Sequence, residues 1–262
     1  MSVRPLSGTV KDAPASPPAK PMHILAIDTS LGQGSVAAAD PAGTSERPLG
    51  PAGDHARVLT EAMAELAARR GWSTPTSPFG EFGYGHGDVV AVVRGPGSFT
   101  GLRVGVTTAK ALAWTTGARL VGVSGFDVIA RTTARLTGWQ RPLAIAYDAG
   151  RGEVYSTIAT PDLASPGGWS LAPSSLLVGS DWIASLPQGA AVSGPALTAL
   201  GTLASARGDL QIAPTEAWLP SAAEVATMAA AYAIAGRCDD PATLVPEYLR
   251  PSYAEETRKP VP

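Results

Sequence analysis

The sequence predicts an α/β protein built from two related lobes, and two observations support that prediction. First, an apolar run, an aspartate, a glycine turn and a second apolar strand occur twice, as ILAIDTSLGQGSV at residues 24–36 and LAIAYDAGRGEV at residues 143–154. Second, helical stretches with an apolar stripe follow, such as DHARVLTEAMAELAARRG after the first hairpin. Two strand–aspartate–glycine–strand units, each opening an α/β segment, indicate a duplicated lobe.

The composition excludes several classes of protein. The chain has 262 residues, of which 45% are hydrophobic and 16% are charged, so each lobe has enough apolar material for a core. Its net charge of −2 lacks the basic field of a protein that grips nucleic acid unaided. A single cysteine, Cys238, excludes an internal disulfide and fits a reducing compartment. No apolar run approaches the roughly 18 residues of a membrane span.

The first 21 residues contain five prolines and no apolar core of a signal peptide. We expect residues 1–21 to be a disordered leader. The fold is expected to begin at Met22, which is also a candidate start of the protein. Residues 73–87 (STPTSPFGEFGYGHG) form a glycine- and proline-containing insert to which the sequence assigns no role.

The remaining chain divides by its pattern. SAAEVATMAAAYAIAG predicts a late helix with Ser221 as its cap and Glu224 completing a capping box. We expect a first lobe at 22–125, a second lobe at 126–220, a helix at 221–236 that packs back on the first lobe, and an irregular tail at 237–262.

The most distinctive stretch is RGPGSFTGLRVGVTTAKALAW, residues 94–114. It lacks the lysine of a phosphate-binding P-loop, and Thr100 stands where a dinucleotide fingerprint needs its third glycine. An anion at the helix start is a weaker alternative. Small residues recur every fourth position, at Gly97, Gly101, Gly105, Ala109, Ala113 and Gly117. Such a row lets another backbone approach closely, either within the same lobe or across a subunit interface, and the spacing does not decide between the two.

Neither a metal site nor a catalytic residue is predicted. His23, His55 and His86 are far apart in the sequence and form no metal-binding spacing. Ser98 lies in a glycine turn without the G-x-S-x-G pattern, so we interpret it as a helix cap.

Four segments together resemble one family. MHILAIDTS, GPGSFTGLRVGVTTAKALA, DAGRGEVY and PEYLR follow one another in the order and spacing of the TsaB family of bacterial tRNA threonylcarbamoyladenosine biosynthesis proteins, formerly grouped with glycoprotease-like proteins. The resemblance covers about residues 22–250. It implies an actin-like fold of two ribonuclease-H-like lobes, with mixed central sheets and flanking helices.

The resemblance also implies a function without catalysis. Family members pair with a larger catalytic paralogue, which transfers a threonylcarbamoyl group to N6 of the adenosine beside the anticodon of tRNA. That complex includes an ATPase subunit and uses ATP, while the TsaB-like subunit needs no cofactor of its own and meets tRNA indirectly. The expected location is the cytoplasm, with self-association when the partner is missing.

The resemblance further places the partner contact on the two helices of the first lobe. The candidates on the first helix are His55, Leu59 and Met63. The second helix contributes Gly101, Arg103, Gly105, Ala109 and Lys110. Arg103 and Lys110 lie seven residues apart on one helical face, where they could pair with acidic groups of a partner.

The two aspartate hairpins support an alternative function. Actin-like nucleotide folds grip phosphates and metal with one hairpin from each lobe, so the chain could be a small kinase or ATPase that binds Mg-ATP. The alternative is a scaffold that no longer binds nucleotide, in which Asp28 and Thr29 only make turn hydrogen bonds. The residues concerned are Asp28, Thr29, Ser30, Asp148, Gly150 and Gly152.

Overall fold

The computed structural model describes residues 21–72 and 88–249. The insert at 73–87, residues 1–20 of the predicted leader and residues 250–262 of the predicted tail lie outside the described residues. No helix within the described ranges is long and apolar enough to cross a membrane.

The first half of the chain forms a five-stranded sheet with helices on both faces. Its strands lie in the order β3-β2-β1-β4-β5, with β1–β2–β3 antiparallel and β1–β4–β5 parallel. Its elements are β1 (Ile24–Asp28), β2 (Gln33–Asp40), β3 (Gly43–Pro51), α1 (His55–Arg69), β4 (Val89–Gly95), α2 (Phe99–Thr116) and β5 (Arg119–Ser124).

The central strands β1 and β4 are apolar because both faces of this sheet are covered. On one face Leu25 and Ile27 of β1 pack with Leu59 of α1 and Val106 of α2. The other face is covered by the last helix of the described chain, residues 222–234, which packs on the alternate side chains of the same strands. Strands buried on both sides read as continuous apolar runs, which is why ILAI and VVAVV show no alternation.

The second half repeats this plan. Its sheet has the order β11-β10-β6-β7-β8, with β9 also paired to β7, and β6 lies antiparallel to β7 but parallel to β10. The two mixed sheets with flanking helices confirm the predicted fold class. The elements are α3 (Gly125–Thr137), β6 (Leu143–Gly150), β7 (Glu153–Pro161), β8 (Trp169–Leu171), β9 (Ser175–Val178), α4 (Gly179–Ser185), β10 (Ala191–Ser193), α5 (Leu197–Ala206), β11 (Gln211–Ile212) and α6 (Ala222–Ile234).

Two helices cross between the halves. Helix α3 directly follows β5 of the first sheet but packs Phe126 and Ile129 into the core of the second. Helix α6 follows the second sheet but packs Val225 and Ala229 on the first. Each sheet is therefore covered on one face by a helix that is adjacent in sequence to the other sheet.

Ser221 stands at the predicted cap position of α6, but the predicted capping box is wrong. The Ser221 hydroxyl makes no cap bond and instead lies 3.0 Å from a carboxylate oxygen of Glu46. Glu224, 6% exposed, accepts hydrogen bonds from Arg131 and Arg135 of α3. A local signature was overridden because a tertiary ion pair between the crossing helices offered Glu224 two charged donors.

After α6 the chain runs back along the free edge of β5, and we call residues 239–249 the C-terminal strap. Asp239 N–H donates to the Leu120 carbonyl, and the Asp239 carboxylate accepts from Gly122 N–H at 2.7 Å. Leu244 is buried in the core beneath α2. Glu247 N–H donates to the Arg94 carbonyl at 2.7 Å, beside the loop that opens α2.

Candidate functional site

The glycine loop before α2 packs directly on the turn between β1 and β2. Ser98 N–H donates to the Ser30 carbonyl at 2.6 Å, and the Thr29 hydroxyl donates to the Gly101 carbonyl at 2.7 Å. A Cβ at Gly97 would overlap the Ser30 carbonyl oxygen. Ser98 also caps α2, because its hydroxyl accepts from Gly101 N–H at 3.4 Å, which confirms the prediction of a helix cap. The loop and the hairpin therefore form one packed unit.

The row of small residues along α2 faces into the first lobe. Gly101, Gly105, Ala109 and Ala113 are all buried. A Cβ at Gly101 would overlap the Thr29 carbonyl oxygen, and one at Gly105 would overlap the Thr29 hydroxyl. The spacing left internal packing and docking equally open; the backbone that approaches these glycines is that of the chain's own hairpin. The prediction that Gly101, Gly105 and Ala109 directly contact another protein is therefore wrong, because all three residues are buried within the first lobe.

The candidates on α1 also point inward. Leu59 and Met63 lie in the core of the first lobe at 1% and 2% exposure. His55 is buried, and its Nε2 lies 3.1 Å from Gly34 N–H, which donates to it. His55 thus holds the turn between β1 and β2 against the start of α1. These three residues pack on the inner side of α1, and they cannot contact a partner directly while the lobe is folded.

The outer face of α2 is exposed and carries the groups that a partner can reach. Arg103, Thr107 and Ala111 are exposed, as is Trp114 at 72%. Lys110 is already bonded within the chain, since its Nζ donates to the Leu244 carbonyl at 2.7 Å. Of the two predicted cations, Arg103 is the one on the open surface. Sequence reasoning missed Trp114, although its place eleven residues after Arg103, on the face opposite the glycines, was visible in the sequence.

Asp28 is sealed at the base of the first hairpin. It is 0% exposed, and one carboxylate oxygen accepts from both the amide and the hydroxyl of Ser30, at 2.9 and 2.6 Å. Burial raises the pKa of Asp28 above its usual value, although the bonds from Ser30 oppose that shift. Burial also raises the pKa of the nearby Tyr147 well above its usual value, and the charge of Asp28 adds to that effect. Thr29 and Ser30 are equally buried.

The second hairpin is open. Asp148 is exposed, and its carboxylate accepts from Gly150 N–H at 2.7 Å. Gly150 and Gly152 have φ angles of 75° and 78°, a left-handed backbone that glycine adopts without strain. The Asp28 carboxylate is thus buried and bonded to Ser30 while the Asp148 carboxylate faces solvent, so the two are not offered together to a ligand in this arrangement.

A cavity of about 440 Å³ lies beside the crossing of α3 and α6. Asp127 of α3 faces Tyr232 of α6 there, with Arg94 and Arg237 on the rim. Burial raises the pKa of Asp127 to about 6, against the opposing effects of Arg94 and of a hydrogen bond from Tyr232. Within the described residues, no group of three or more His, Cys, Asp or Glu side chains is arranged to hold a metal ion.

Comparison with known proteins shows which relatives share these segments. Residues 81–161, which run from before the α2 loop to the end of β7, match the family model described as TsaD, tRNA N6-adenosine threonylcarbamoyltransferase. The tRNA threonylcarbamoyladenosine biosynthesis protein TsaB of Bacillus subtilis is 40% identical over 67 residues, and that of Escherichia coli is 35% identical over 135 residues. Over these segments the chain is similar in sequence to TsaB proteins.

These matches differ in extent. The curated alignments cover 26% and 51% of this chain, and 28% and 53% of the two TsaB proteins. The solved structure of YeaZ from Pseudomonas aeruginosa superposes with a TM-score of 0.66 at 23% identity, covering 87% of this chain and 100% of that one. A second structure, described as similar to the peptidase YeaZ from Pseudomonas aeruginosa, gives a TM-score of 0.68 at 24% identity, with the same coverage. At these identities the two structures establish the shared fold.

Proposed function

We propose that this protein is the non-catalytic subunit of the complex that installs threonylcarbamoyl on N6 of the adenosine beside the anticodon of tRNAs. The observation that supports this most is that both curated TsaB relatives are named for threonylcarbamoyladenosine biosynthesis. The segment that matches the transferase family model also contains the whole α2 loop and helix. The chain matches the transferase family model over one segment, but the curated proteins that it resembles are TsaB proteins. This combination fits a paralogue of the transferase that acts as its partner subunit.

The non-catalytic assignment is supported by how the chain uses its reactive types of side chain. The Ser98 hydroxyl caps α2, the Asp28 carboxylate accepts from Ser30, and the His55 ring accepts from Gly34. All three residues hold backbone segments in place. These contacts hold the first hairpin and the starts of α1 and α2 in fixed positions.

The proposed mechanism is heterodimerisation through the outer faces of α1 and α2. The buried residues His55, Leu59, Met63, Gly101, Gly105 and Ala109 fix the positions of the helices, and the exposed residues above them make the contact. Arg103 and Trp114 are of the types that dominate binding energy at interfaces. Docking would hold the catalytic paralogue in its competent state, while an ATPase subunit uses ATP and tRNA binds elsewhere in the complex.

The same surface would let the isolated protein form a homodimer, because a face that binds a paralogue related in fold can also meet a second copy. We place the complex in the cytoplasm, where tRNA is modified. No cofactor is assigned to this chain alone.

Reconstitution tests the proposal. The catalytic paralogue and the ATPase subunit of the same organism are incubated with tRNA, ATP and the threonylcarbamoyl precursors, with and without this chain, and modified adenosine is measured. We expect modification to depend on the chain, and the chain to elute with the paralogue as one complex. Modification that is equally fast without the chain would reject the proposal. Turnover of Mg-ATP by the isolated chain would instead support the kinase or ATPase alternative.

A further inference from the structure

We propose that Tyr248 of the C-terminal strap holds the Arg103 guanidinium in a fixed position on the outer face of α2, where it binds a carboxylate of the catalytic paralogue. The inference rests on the proposed function and adds to it a specific contact and a positioning residue that lies 145 positions away in the sequence.

Three side chains form the contact. Arg103 Nε donates to the Tyr248 hydroxyl at 2.9 Å, and the guanidinium carbon lies 3.9 Å from the centre of the Phe99 ring. The Phe99 and Tyr248 rings lie 4.9 Å apart. Both rings stay at the surface, 40% and 39% exposed. The guanidinium is thus held through Nε and through one face, and its two terminal nitrogens have no hydrogen-bond partner within residues 21–72 and 88–249.

Tyr248 is itself well placed to act as a support. Leu244 is buried beneath α2, and its carbonyl accepts from Lys110 at 2.7 Å. Glu247 N–H donates to the Arg94 carbonyl at 2.7 Å. The residues just before Tyr248 are therefore bonded to both β4 and α2. A side chain fixed in advance loses less conformational freedom when it binds, so Arg103 is prepared for its ligand.

A carboxylate is the ligand that this arrangement fits. The two terminal nitrogens of a guanidinium form a planar fork that matches the two oxygens of a carboxylate. Helix α2 contains no acidic residue, and no ion pair joins Arg103 to a carboxylate within residues 21–72 and 88–249. Other surface arginines in the described chain do have such partners, for example Arg57 with Asp54 and Arg69 with Glu65.

A protein carboxylate fits better than a phosphate of tRNA. Phosphate backbones are bound by many cations together, whereas this face offers Arg103 alone of the two α2 cations, because Lys110 is bonded to Leu244. Trp114 lies eleven residues further along the same face, about 16 Å away at 1.5 Å per residue. A charged anchor and an apolar anchor at that distance, with Thr107 and Ala111 between them, suit a helix or ridge of another protein.

The test measures binding of the full chain to the catalytic paralogue of the same organism by calorimetry or surface plasmon resonance. We expect Arg103→Gln to weaken binding at least tenfold and to make the remaining affinity less sensitive to salt. Tyr248→Phe removes only the hydroxyl and should weaken binding about threefold to tenfold. The double variant should be no weaker than Arg103→Gln, because Tyr248 acts through Arg103.

Arg141→Gln is the matched control. Arg141 also stacks on an aromatic ring, with its guanidinium carbon 4.9 Å from the centre of Trp139, but it lies in the second lobe and bonds to Gln211. Binding by this variant should equal that of the unaltered chain. Thermal melting of every variant checks that the lobe is folded.

The outcomes separate the two proposals. If the unaltered chain does not bind the paralogue, the proposed function fails. If it binds, and Arg103→Gln binds equally well, the inference is overturned. Additive losses in the double variant would mean that Tyr248 acts on the fold and not on Arg103. An unchanged affinity for the paralogue with reduced retention of tRNA by the complex would assign Arg103 to phosphate, and a loss confined to self-association would assign it to a second copy.

Discussion

At the scale of single residues, the glycines of α2 do their work inside the first lobe. A glycine inside a helix costs about 1 kcal/mol relative to alanine, so keeping Gly101 and Gly105 requires a gain elsewhere. The gain is close contact with the hairpin, where the Thr29 hydroxyl donates to the Gly101 carbonyl at 2.7 Å. The first strand and the second helix are therefore joined at a distance that no side chain at position 101 would permit.

We predict that Gly101→Ala destabilises the protein by about 2 kcal/mol or more, because the new Cβ would overlap the Thr29 carbonyl oxygen and force the loop apart. Urea denaturation followed by circular dichroism measures the change. The control is Gly32→Ala, where no atom lies within 4 Å of the added Cβ. Equal unfolding midpoints for Gly101→Ala and the unaltered chain would contradict the packing described above.

At the scale of elements, the crossing of α3 and α6 joins the two halves through polar contacts. Glu224 of α6 accepts from Arg131 and Arg135 of α3 at one end. At the other end Asp127 and Tyr232 face each other beside the cavity. A buried carboxylate with two donors is costly to leave unpaired, so these contacts fix how the helices cross.

The Asp127 carboxyl predicts a pH dependence of stability. Its pKa is about 6 in the folded protein against an ordinary value of 3.8, so between these values the folded state binds more protons than the unfolded state. Stability from this group is therefore present at low pH and falls as the pH rises from about 4 to 6. We expect Asp127→Asn to remove this fall, so that the variant gains stability relative to the unaltered chain at pH 7 compared with pH 4, by on the order of 2 kcal/mol.

Urea midpoints at pH 4 and pH 7 measure that difference. Asp181→Asn is the matched substitution, since Asp181 also lies in the first turn of a helix but is exposed. The same pH dependence in Asp127→Asn as in the unaltered chain would argue against a raised pKa at this crossing.

At the scale of the whole molecule, the first lobe presents a rigid helix face. Its inner side is packed on the hairpin, and the C-terminal strap lies beside the start of α2 through Glu247 and Tyr248. Helix α3 packs on the sheet of the second lobe, and helix α6 packs on the sheet of the first lobe. Rigid helix surfaces of this kind lose little freedom on binding, which suits the proposed role of a subunit that holds its partner in one state.

We predict that Trp114→Ser weakens binding to the catalytic paralogue by at least tenfold while leaving the free energy of unfolding within about 0.5 kcal/mol. The side chain is 72% exposed in the isolated chain, so removing it costs little packing there. Co-elution with the paralogue and urea denaturation of the isolated variant measure the two effects. Normal co-elution would place the interface elsewhere on the molecule.

The sequence alone predicted the duplicated α/β architecture and the helix cap at Ser98, because strand periodicity, turn glycines and caps are set by residues close together in the chain. It also pointed to α2 through its row of small residues. What it could not decide was the direction in which that row faces, since a stripe of small side chains packs equally well on a neighbour inside or outside the chain.

Only the tertiary structure made that decision. The carbonyl and hydroxyl of Thr29, 72 residues before Gly101, occupy the space above the glycines, and Tyr248 reaches Arg103 across 145 residues. Glu224 likewise left its predicted local cap for arginines about 90 residues away. Contacts at such separations depend on how the sheets and the crossing helices assemble, and a local pattern does not contain that information.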